Sequence, residues 1–223
     1  MKHIGIDAGS VSVKAVVLDT DGRRLKSEYV KHNGHPVEVA LEVLERISPP
    51  EGGCLLSITG SAGRLIAEVL GHEAINEIVS QAYSTAKMHP EVKTIVEMGG
   101  EDSKLLIMKS GGEGSVLEDF AMNTVCAAGT GSFLDQQAAR VDVAIEEAFG
   151  RLACLSEPPP RIAGRCSVFA KSDMIHLQQI ATPVEDIIAG LCFALARNFK
   201  SDICRGKSIE APVAFQGGVA ANS

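Results

Sequence analysis

The pattern of apolar and polar residues at the start of the chain predicts a small sheet followed by a helix. Residues 3–7, 11–19 and 25–30 are predicted to be short strands, and the run over 11–19 is rich in β-branched residues. The second and third runs are joined by an Asp-Gly pair at 21–22, which supplies the positive φ angles of a tight hairpin. Apolar residues at i, i+3 and i+4 spacing then predict a helix over 37–47.

The same order of strands and turns returns later in the chain. Strands are predicted over 94–97, 104–108 and 115–120, and they align with the first three without a gap at an offset of 97 − 7 = 90 residues. The matched pairs are Asp7 with Glu97, Gly9 with Gly99, Lys14 with Lys104, Gly22 with Gly112, and Glu28 with Glu118. This self-similarity predicts an internal duplication, with one domain over 1–90 and another over 91–223. Two similar domains that face each other form a cleft, where ligands usually bind.

The remaining segments are predicted to be mainly helical. A strand over 54–58 precedes a helix near 62–69, and a strand over 211–215 ends in a glycine pair. Further helices are predicted over 130–141, 142–150 and 183–200. The predicted fold class is therefore α/β.

Composition narrows the possible partners and the compartment. The 223 residues carry 21 Lys+Arg and 28 Asp+Glu, a net charge of −7, and aromatic residues make up only 4%. This composition argues against a nucleic-acid partner, which needs basic surfaces or stacking platforms. No apolar run approaches the ~20 residues that span a membrane, and no signal peptide is evident. Six cysteines without a CxxC pair and without an export signal predict a reducing, cytoplasmic location.

The first candidate site is the turn between Asp7 and Lys14. A carboxylate at a strand end can hold Mg²⁺ through water. The turn offers backbone N–H groups and hydroxyls to phosphate oxygens, and Lys14 adds a positive charge. The turn residues are Gly9, Ser10, Val11 and Ser12. A polar hairpin whose side chains only satisfy the turn is the alternative.

The second candidate site is the equivalent turn after the strand over 94–97. Its glycines, Gly99 and Gly100, allow a ligand to approach the backbone closely. Acids beside a phosphate require a metal, or act by orienting the attacking water. The acids are Glu97, Glu101 and Asp102, and Lys104 follows them. A polar hairpin is again the alternative.

Two cysteines and a glycine pair lie before predicted helices. Gly129-Thr130-Gly131 begins one helix, whose N–H groups and dipole favour an anion. Cys126 and Cys166 each precede a helix, where the dipole stabilises a thiolate. From the residues alone, each cysteine fits a small buried apolar residue better than a ligand. Two cysteines cannot complete a four-thiolate site, so an iron–sulfur cluster would need a second chain.

Five stretches together resemble a known family. They are GIDAGSVSVKAVVLD (5–19), VEMGGEDSKLL (96–106), CAAGTGSFLD (126–135), GRCSVFAKSDMIHL (164–177) and FQGGVAANS (215–223). They occur in the order seen in the BadF/BadG/BcrA/BcrD ATPase family, and the resemblance covers nearly the whole chain. That family contains activators of 2-hydroxyacyl-CoA dehydratases and ATPase subunits of benzoyl-CoA reductases. It has the actin/hexokinase/Hsp70-like fold, a pair of ribonuclease-H-like domains around a nucleotide cleft.

The resemblance implies a role for each motif. ATP or ADP with Mg²⁺ would be bound by the first phosphate motif (Asp7, Gly9, Ser10, Lys14), the second (Gly99, Gly100, Asp102, Lys104), a further loop (Gly129, Thr130, Gly131) and an adenosine motif (Gly217, Gly218, Asn222). Cys126 and Cys166 would meet their twins across a two-fold axis and hold one [4Fe–4S] cluster, which requires an isologous homodimer. ATP hydrolysis would drive electron transfer to a dehydratase or reductase, with a ferredoxin or flavodoxin as donor.

Several questions stay open from the sequence alone. The family commonly has Asp at the position of Glu97 and Gln at that of Glu101, so which acid orients water is undecided. A cluster-free kinase that phosphorylates a small metabolite, with Glu101 or Asp102 as base, is a second hypothesis, and a nucleotide-binding scaffold within a larger chain is a third. The sequence stops where a helix should follow the Gly217-Gly218 turn, which predicts a second domain that is incomplete at its C-terminus.

Overall fold

The chain is a mixed α/β protein that contains two four-stranded sheets. The computed structural model describes residues 1–49, 53–111, 114–123, 129–164 and 166–222. The chain divides into two compact units, Met1–Ser84 and Thr85–Ser223. This division falls inside a helix, six residues before the predicted boundary at residue 90 (90 − 84 = 6).

The first unit packs helices on a sheet with strand order β3-β2-β1-β4. Its elements are β1 (Lys2–Ala8), β2 (Ser12–Leu18), β3 (Arg24–Lys31), α1 (Pro36–Ile47), β4 (Cys54–Thr59), α2 (Gly63–Leu70) and the first part of α3 (Glu77–Met88). The β1–β2–β3 strands are antiparallel, and β4 pairs with β1 in parallel. Alternate residues of β1, Ile4 and Ile6, are buried with Val43 of α1 and Ile66 of α2. This alternation places one face of the sheet in the core.

The second unit has the strand order β7-β6-β5-β8. Its elements after α3 are β5 (Thr94–Met98), β6 (Ser103–Gly111), β7 (Gly114–Asn123), α4 (Gly131–Arg140), a π-helical turn (Ile145–Phe149), α5 (Gly150–Ala153), α6 (Ser167–Gln179), α7 (Val184–Asp202) and β8 (Val213–Gln216). Helix α7 is buried along much of its length, through residues such as Ile188, Leu191 and Leu195. None of the helices in the described ranges combines the length and apolar character that a membrane crossing requires.

The two sheets share their strand pairing. In each sheet the first two strands are antiparallel and a later strand adds to the first in parallel. Asp7 lies opposite Lys14, and Glu97 lies opposite Lys104. Each sheet also has a register shift between its second and third strands, after Val17 and after Ile107. All of these positions correspond at the offset of 90 residues. The duplication and the interdomain cleft themselves stay predictions.

Two segments differ from the sequence-based expectation. Helix α3 was not predicted, because its buried positions include Ala82 and Thr85, which make a weak apolar stripe, while Tyr83 is exposed. The helix predicted over 142–150 is instead a π-helical turn continued by α5. Asp142 has a φ of 54°, so regular helical structure does not begin at that residue. The predicted hairpin glycine Gly112 lies outside the described residues.

Candidate functional site

The first predicted turn connects β1 and β2 and carries a carboxylate and a lysine side by side. The Gly9 N–H donates to the Ser12 carbonyl at 3.0 Å, which closes the turn. Lys14 Nζ lies 3.3 Å from Asp7 Oδ2, and these side chains are 37% and 48% exposed. Both charges therefore remain accessible to a ligand. Of the other predicted residues of this turn, Ser10 and Val11 are half-buried and Ser12 is buried.

A glycine that the sequence reasoning missed lies against this turn. Gly60 follows the parallel strand β4 with a φ of +98°. A Cβ at Gly60 would lie 2.3 Å from the Ala8 carbonyl oxygen and 2.5 Å from Asp7 Oδ1. The next residues continue the contact, since the Ala62 N–H donates to the Ala8 carbonyl at 2.8 Å. Gly60 thus lets the start of α2 approach the end of β1.

The second predicted turn has a similar backbone but a more enclosed set of charges. The Gly99 N–H donates to the Asp102 carbonyl at 2.9 Å, as in the first turn. Lys104 Nζ lies 3.0 Å from Glu97 Oε2 and 3.0 Å from Asp102 Oδ2. The Lys104 side chain is only 5% exposed, whereas Glu101 at the tip of the turn is exposed. Lys104 therefore neutralises two of the three predicted acids.

The predicted Gly129-Thr130-Gly131 loop packs on the second turn. The Gly131 and Ser132 N–H groups donate to the carbonyls of Gly99 and Gly100 at 2.8 and 2.7 Å, and the Ser103 hydroxyl donates to the Gly129 carbonyl at 2.7 Å. Thr130 is fully buried and precedes α4. Two N–H groups at the start of α4 therefore hold the neighbouring turn. The role of this loop as an anion site stays a prediction.

The predicted adenosine motif also lies against the second turn. Gly217 follows the parallel strand β8 with a φ of +93°, and a Cβ there would lie 2.3 Å from the Met98 carbonyl oxygen. The Val219 N–H donates to that carbonyl at 3.2 Å. Asn222 donates its side-chain amide to the Ile145 carbonyl, while Gly218 is exposed. The second, third and adenosine motifs are thus brought together within the second unit.

Gly217 and Gly60 occupy the same position in their two sheets. Each follows a strand that pairs in parallel with the strand bearing the acid, and each has its N–H-donating neighbour two residues later. The shared signal in the sequence is a glycine directly after an apolar strand, in Thr59-Gly60 and in Gln216-Gly217. Gly60 and Gly217 are not separated by the offset of 90 residues, so the ungapped alignment did not match these two glycines.

Replacing Gly60 by alanine should destabilise the first unit strongly. Alanine at a positive φ costs about 1–3 kcal/mol, and the clash with the Ala8 carbonyl adds about 1–3 kcal/mol more. Gly22→Ala is the matched control, because Gly22 has a φ of +77° and nothing lies within 4 Å of a Cβ there. Urea unfolding should show a Gly60→Ala loss at least about 1–2 kcal/mol larger than the control. Equal losses would contradict the close approach.

Of the two cysteines predicted to bind a cluster, the structure describes Cys166 but not Cys126. Cys126 lies outside the described residues. Cys166 directly precedes α6, is half-buried, and forms no disulfide with another described cysteine. Within the described ranges, no cluster of three or more His, Cys, Asp or Glu side chains could hold a metal ion. Cys166 thus lies at a helix start, where the dipole favours negative charge, and its role as a ligand stays a prediction.

Two of the remaining described cysteines, Cys192 and Cys204, are poorer candidates for ligands than an ordinary thiol. Burial raises the pKa of the Cys192 thiol to about 11, with a smaller contribution from Cys154. Burial likewise raises the pKa of Cys204. Both thiols are therefore protonated at neutral pH, and the thiolate is the form that binds metal. Cys54 and Cys154 are exposed, at the start of β4 and after α5.

Comparison with known proteins agrees with this architecture. A 2-hydroxyisocaproyl-CoA dehydratase activator from Clostridioides difficile is 32% identical over 100% of this chain and 83% of its own length. An (R)-2-hydroxyglutaryl-CoA dehydratase activating ATPase from Acidaminococcus fermentans is 29% identical over 98% of this chain and 83% of its own. The solved structure of the activator of the 2-hydroxyisocaproyl-CoA dehydratase from Clostridium difficile with bound ADPNP has a TM-score of 0.85, at 29% identity. It covers 100% of this chain, which in turn covers 82% of that structure.

The comparison with family models gives the same result as the resemblance noted from the five sequence stretches. The model of the BadF/BadG/BcrA/BcrD ATPase family matches residues 4–223. The chain therefore belongs to the BadF/BadG/BcrA/BcrD ATPase family.

Proposed function

We propose that this protein is an ATP-dependent activator. It hydrolyses ATP to drive low-potential electron transfer to a partner enzyme such as a 2-hydroxyacyl-CoA dehydratase or a related reductase. The observation that carries the proposal is the acid–lysine pair at the same register in both sheets, Asp7 with Lys14 and Glu97 with Lys104. Relatives that match almost the whole chain are named as dehydratase activators, and one was solved with bound ADPNP.

The first turn supplies an accessible carboxylate and cation for Mg·ATP. Asp7 would hold Mg²⁺ through water, because a hard cation prefers oxygen ligands. Lys14 and the backbone N–H groups of the turn would contact phosphate oxygens. The half-exposed Asp7–Lys14 pair supports this assignment, since neither charge must be stripped from a buried partner before the ligand binds.

The second turn would orient the attacking water. Glu97 and Asp102 are both held by Lys104, so their positions are fixed. Glu101 is exposed at the tip of the same turn. We assign the orientation of water to Glu101, because its carboxylate is the acid of this turn that Lys104 does not hold. The role needs positioning of the nucleophile and little covalent chemistry from the protein.

Cys126 and Cys166 of two copies would hold one [4Fe–4S] cluster. Four thiolates are the usual ligand set for such a cluster, and two chains supply four. When bound, the cluster supplies one-electron chemistry at low potential. This assignment requires an isologous homodimer, with a ferredoxin or flavodoxin as the electron donor. Cys192 and Cys204 are weaker candidates for ligands, since desolvation raises the pKa of both thiols.

Anaerobic reconstitution with iron and sulfide tests the proposal directly. The expected product is a brown dimer with about two iron and two sulfide per chain, because a four-iron cluster is shared by two subunits. It should hydrolyse ATP faster when a reduced electron donor and a dehydratase partner are present.

The alternatives predict different results in the same experiment. A colourless monomer that turns over ATP with an added sugar or acid would replace the proposal with the kinase hypothesis. Tight ADPNP binding without hydrolysis, even with a partner and donor, would favour a nucleotide-binding scaffold.

A further inference from the structure

A buried histidine lies against the first turn, far from it in sequence. His32 follows β3, and its residue is only 6% exposed. The β2–β3 ladder ends with Ser12 opposite Lys31, and the His32 N–H extends it by donating to the Val11 carbonyl at 3.1 Å. The ladder therefore delivers the histidine to the turn.

The ring of His32 joins two backbone segments. Its Nε2 lies 3.1 Å from the Gly9 carbonyl oxygen, and the Gly34 N–H donates to its Nδ1 at 3.2 Å. An N–H group can only donate and a carbonyl can only accept, so Nδ1 must be the acceptor and Nε2 the donor. Both bonds are satisfied only by the neutral imidazole with its proton on Nε2.

The loop after His32 is shaped to make this contact. Asn33 and Gly34 both have left-handed φ angles, 47° and 89°, and the His35 N–H returns to the His32 carbonyl at 2.8 Å. Glycine adopts such an angle without steric cost. The tight turn brings the Gly34 N–H back over its own histidine ring, immediately before α1 begins at Pro36.

The contact to Gly9 fixes one peptide plane. The Gly9 carbonyl and the Ser10 N–H belong to the same planar trans peptide, so they point in opposite directions. When His32 holds the carbonyl, the Ser10 N–H is aimed to the other side of the turn. Ser10 is one of the residues assigned to the phosphates of ATP.

We infer that His32 is a positioning residue of the nucleotide site, which holds the Gly9–Ser10 peptide so that the Ser10 N–H faces a phosphate oxygen. This inference rests on the proposed function. The contact from the Ser10 N–H to the phosphate would stabilise bound ATP equally in the ground state and in the transition state, because it exists in both. The expected signature is therefore a raised KM for ATP with an unchanged kcat.

Two substitutions and one control test the inference in the full chain. His32→Leu removes both ring bonds, whereas His32→Gln can still donate from its amide nitrogen to the Gly9 carbonyl. We expect the Kd for Mg·ADPNP and the KM for ATP to rise about three- to tenfold in His32→Leu. This is the effect of losing one hydrogen bond to the nucleotide, the one from the Ser10 N–H to a phosphate oxygen. His32→Gln should stay within about twofold of the wild type. His35→Leu is the control, because His35 is 65% exposed and pairs with Glu38.

Each outcome of this experiment separates the inference from the proposed function. A wild-type chain that does not bind Mg·ADPNP overturns both. If the wild type binds and His32→Leu binds equally well, only the inference is wrong, even if His32→Leu lowers the melting temperature. Nitrogen NMR of the nucleotide-free protein gives an independent check, since it should show the His32 proton on Nε2. A proton on Nδ1 would contradict the inference.

Discussion

Replacing Cys166 by serine is expected to abolish cluster assembly while leaving nucleotide binding intact. A serine hydroxyl is not deprotonated at neutral pH and is a poor ligand for iron. Iron in the reconstituted protein should fall from about two per chain to near zero. The chain should also lose its dimeric state if the cluster bridges two subunits. Iron analysis and sedimentation under anaerobic conditions measure both effects, and ADPNP titration checks that the nucleotide site survives.

The matched control for this experiment is Cys154→Ser. Cys154 is exposed after α5, and the proposal gives it no role as a ligand. Iron content and oligomeric state should not change in that variant. A Cys166→Ser protein that keeps its full cluster would show that Cys166 is not a ligand. Because Cys126 lies outside the described residues, the proposed cluster would then have no ligand whose position the structure describes.

Replacing Lys104 by methionine is expected to destabilise the protein by about 3–5 kcal/mol, the usual cost of removing one partner from a buried ion pair. Lys104 is 5% exposed and lies 3.0 Å from a carboxylate oxygen of Glu97 and 3.0 Å from one of Asp102, so its removal leaves both carboxylates without this ion pair. Methionine keeps most of the apolar stem of lysine, so the loss reports on the charge. The free energy of unfolding in urea measures it.

The chain provides an internal control at the equivalent register position. Lys14→Met removes the same charge from the Asp7 pair, but that pair is 37% and 48% exposed. Exposed pairs contribute at most about 1 kcal/mol. A second test adds Glu97→Gln and Asp102→Asn to Lys104→Met, which should restore part of the lost stability because the repelling charges are gone. Equal losses for Lys104→Met and Lys14→Met, or no recovery, would show that burial does not govern the pair.

Much of the fold could be predicted because its signals are local. Strand β2 is a short run rich in β-branched residues, and α1 carries a clear apolar stripe. The ungapped match at 90 residues aligned Asp7 with Glu97 and Lys14 with Lys104, and the structure shows that each acid lies opposite its lysine. Helix α3 escaped prediction because its buried side includes Ala82 and Thr85, which carry little apolar signal.

The site shows where the sequence is insufficient. The resemblance places Lys104 in a phosphate motif and the sequence predicts an anion site at the start of α4, and both assignments stay predictions. The structure places Lys104 on two acids, and two N–H groups at the start of α4 on Gly99 and Gly100. Ion pairs and hydrogen bonds depend on which groups are close in the folded chain, and the spacing of residues in the sequence does not reveal those partners.

The sequence by itself determined the family, the order of most strands and helices, and the residues around which the candidate site is proposed. These follow from contiguous motifs and short-range periodicity, which are local properties of the chain. Only the tertiary structure decided that Gly60 and His32 lie against the first turn, although they are 60 − 9 = 51 and 32 − 9 = 23 residues from Gly9 in sequence. Such contacts are made by β4 pairing with β1 and by β3 pairing with β2, so they exist only once the sheet has formed.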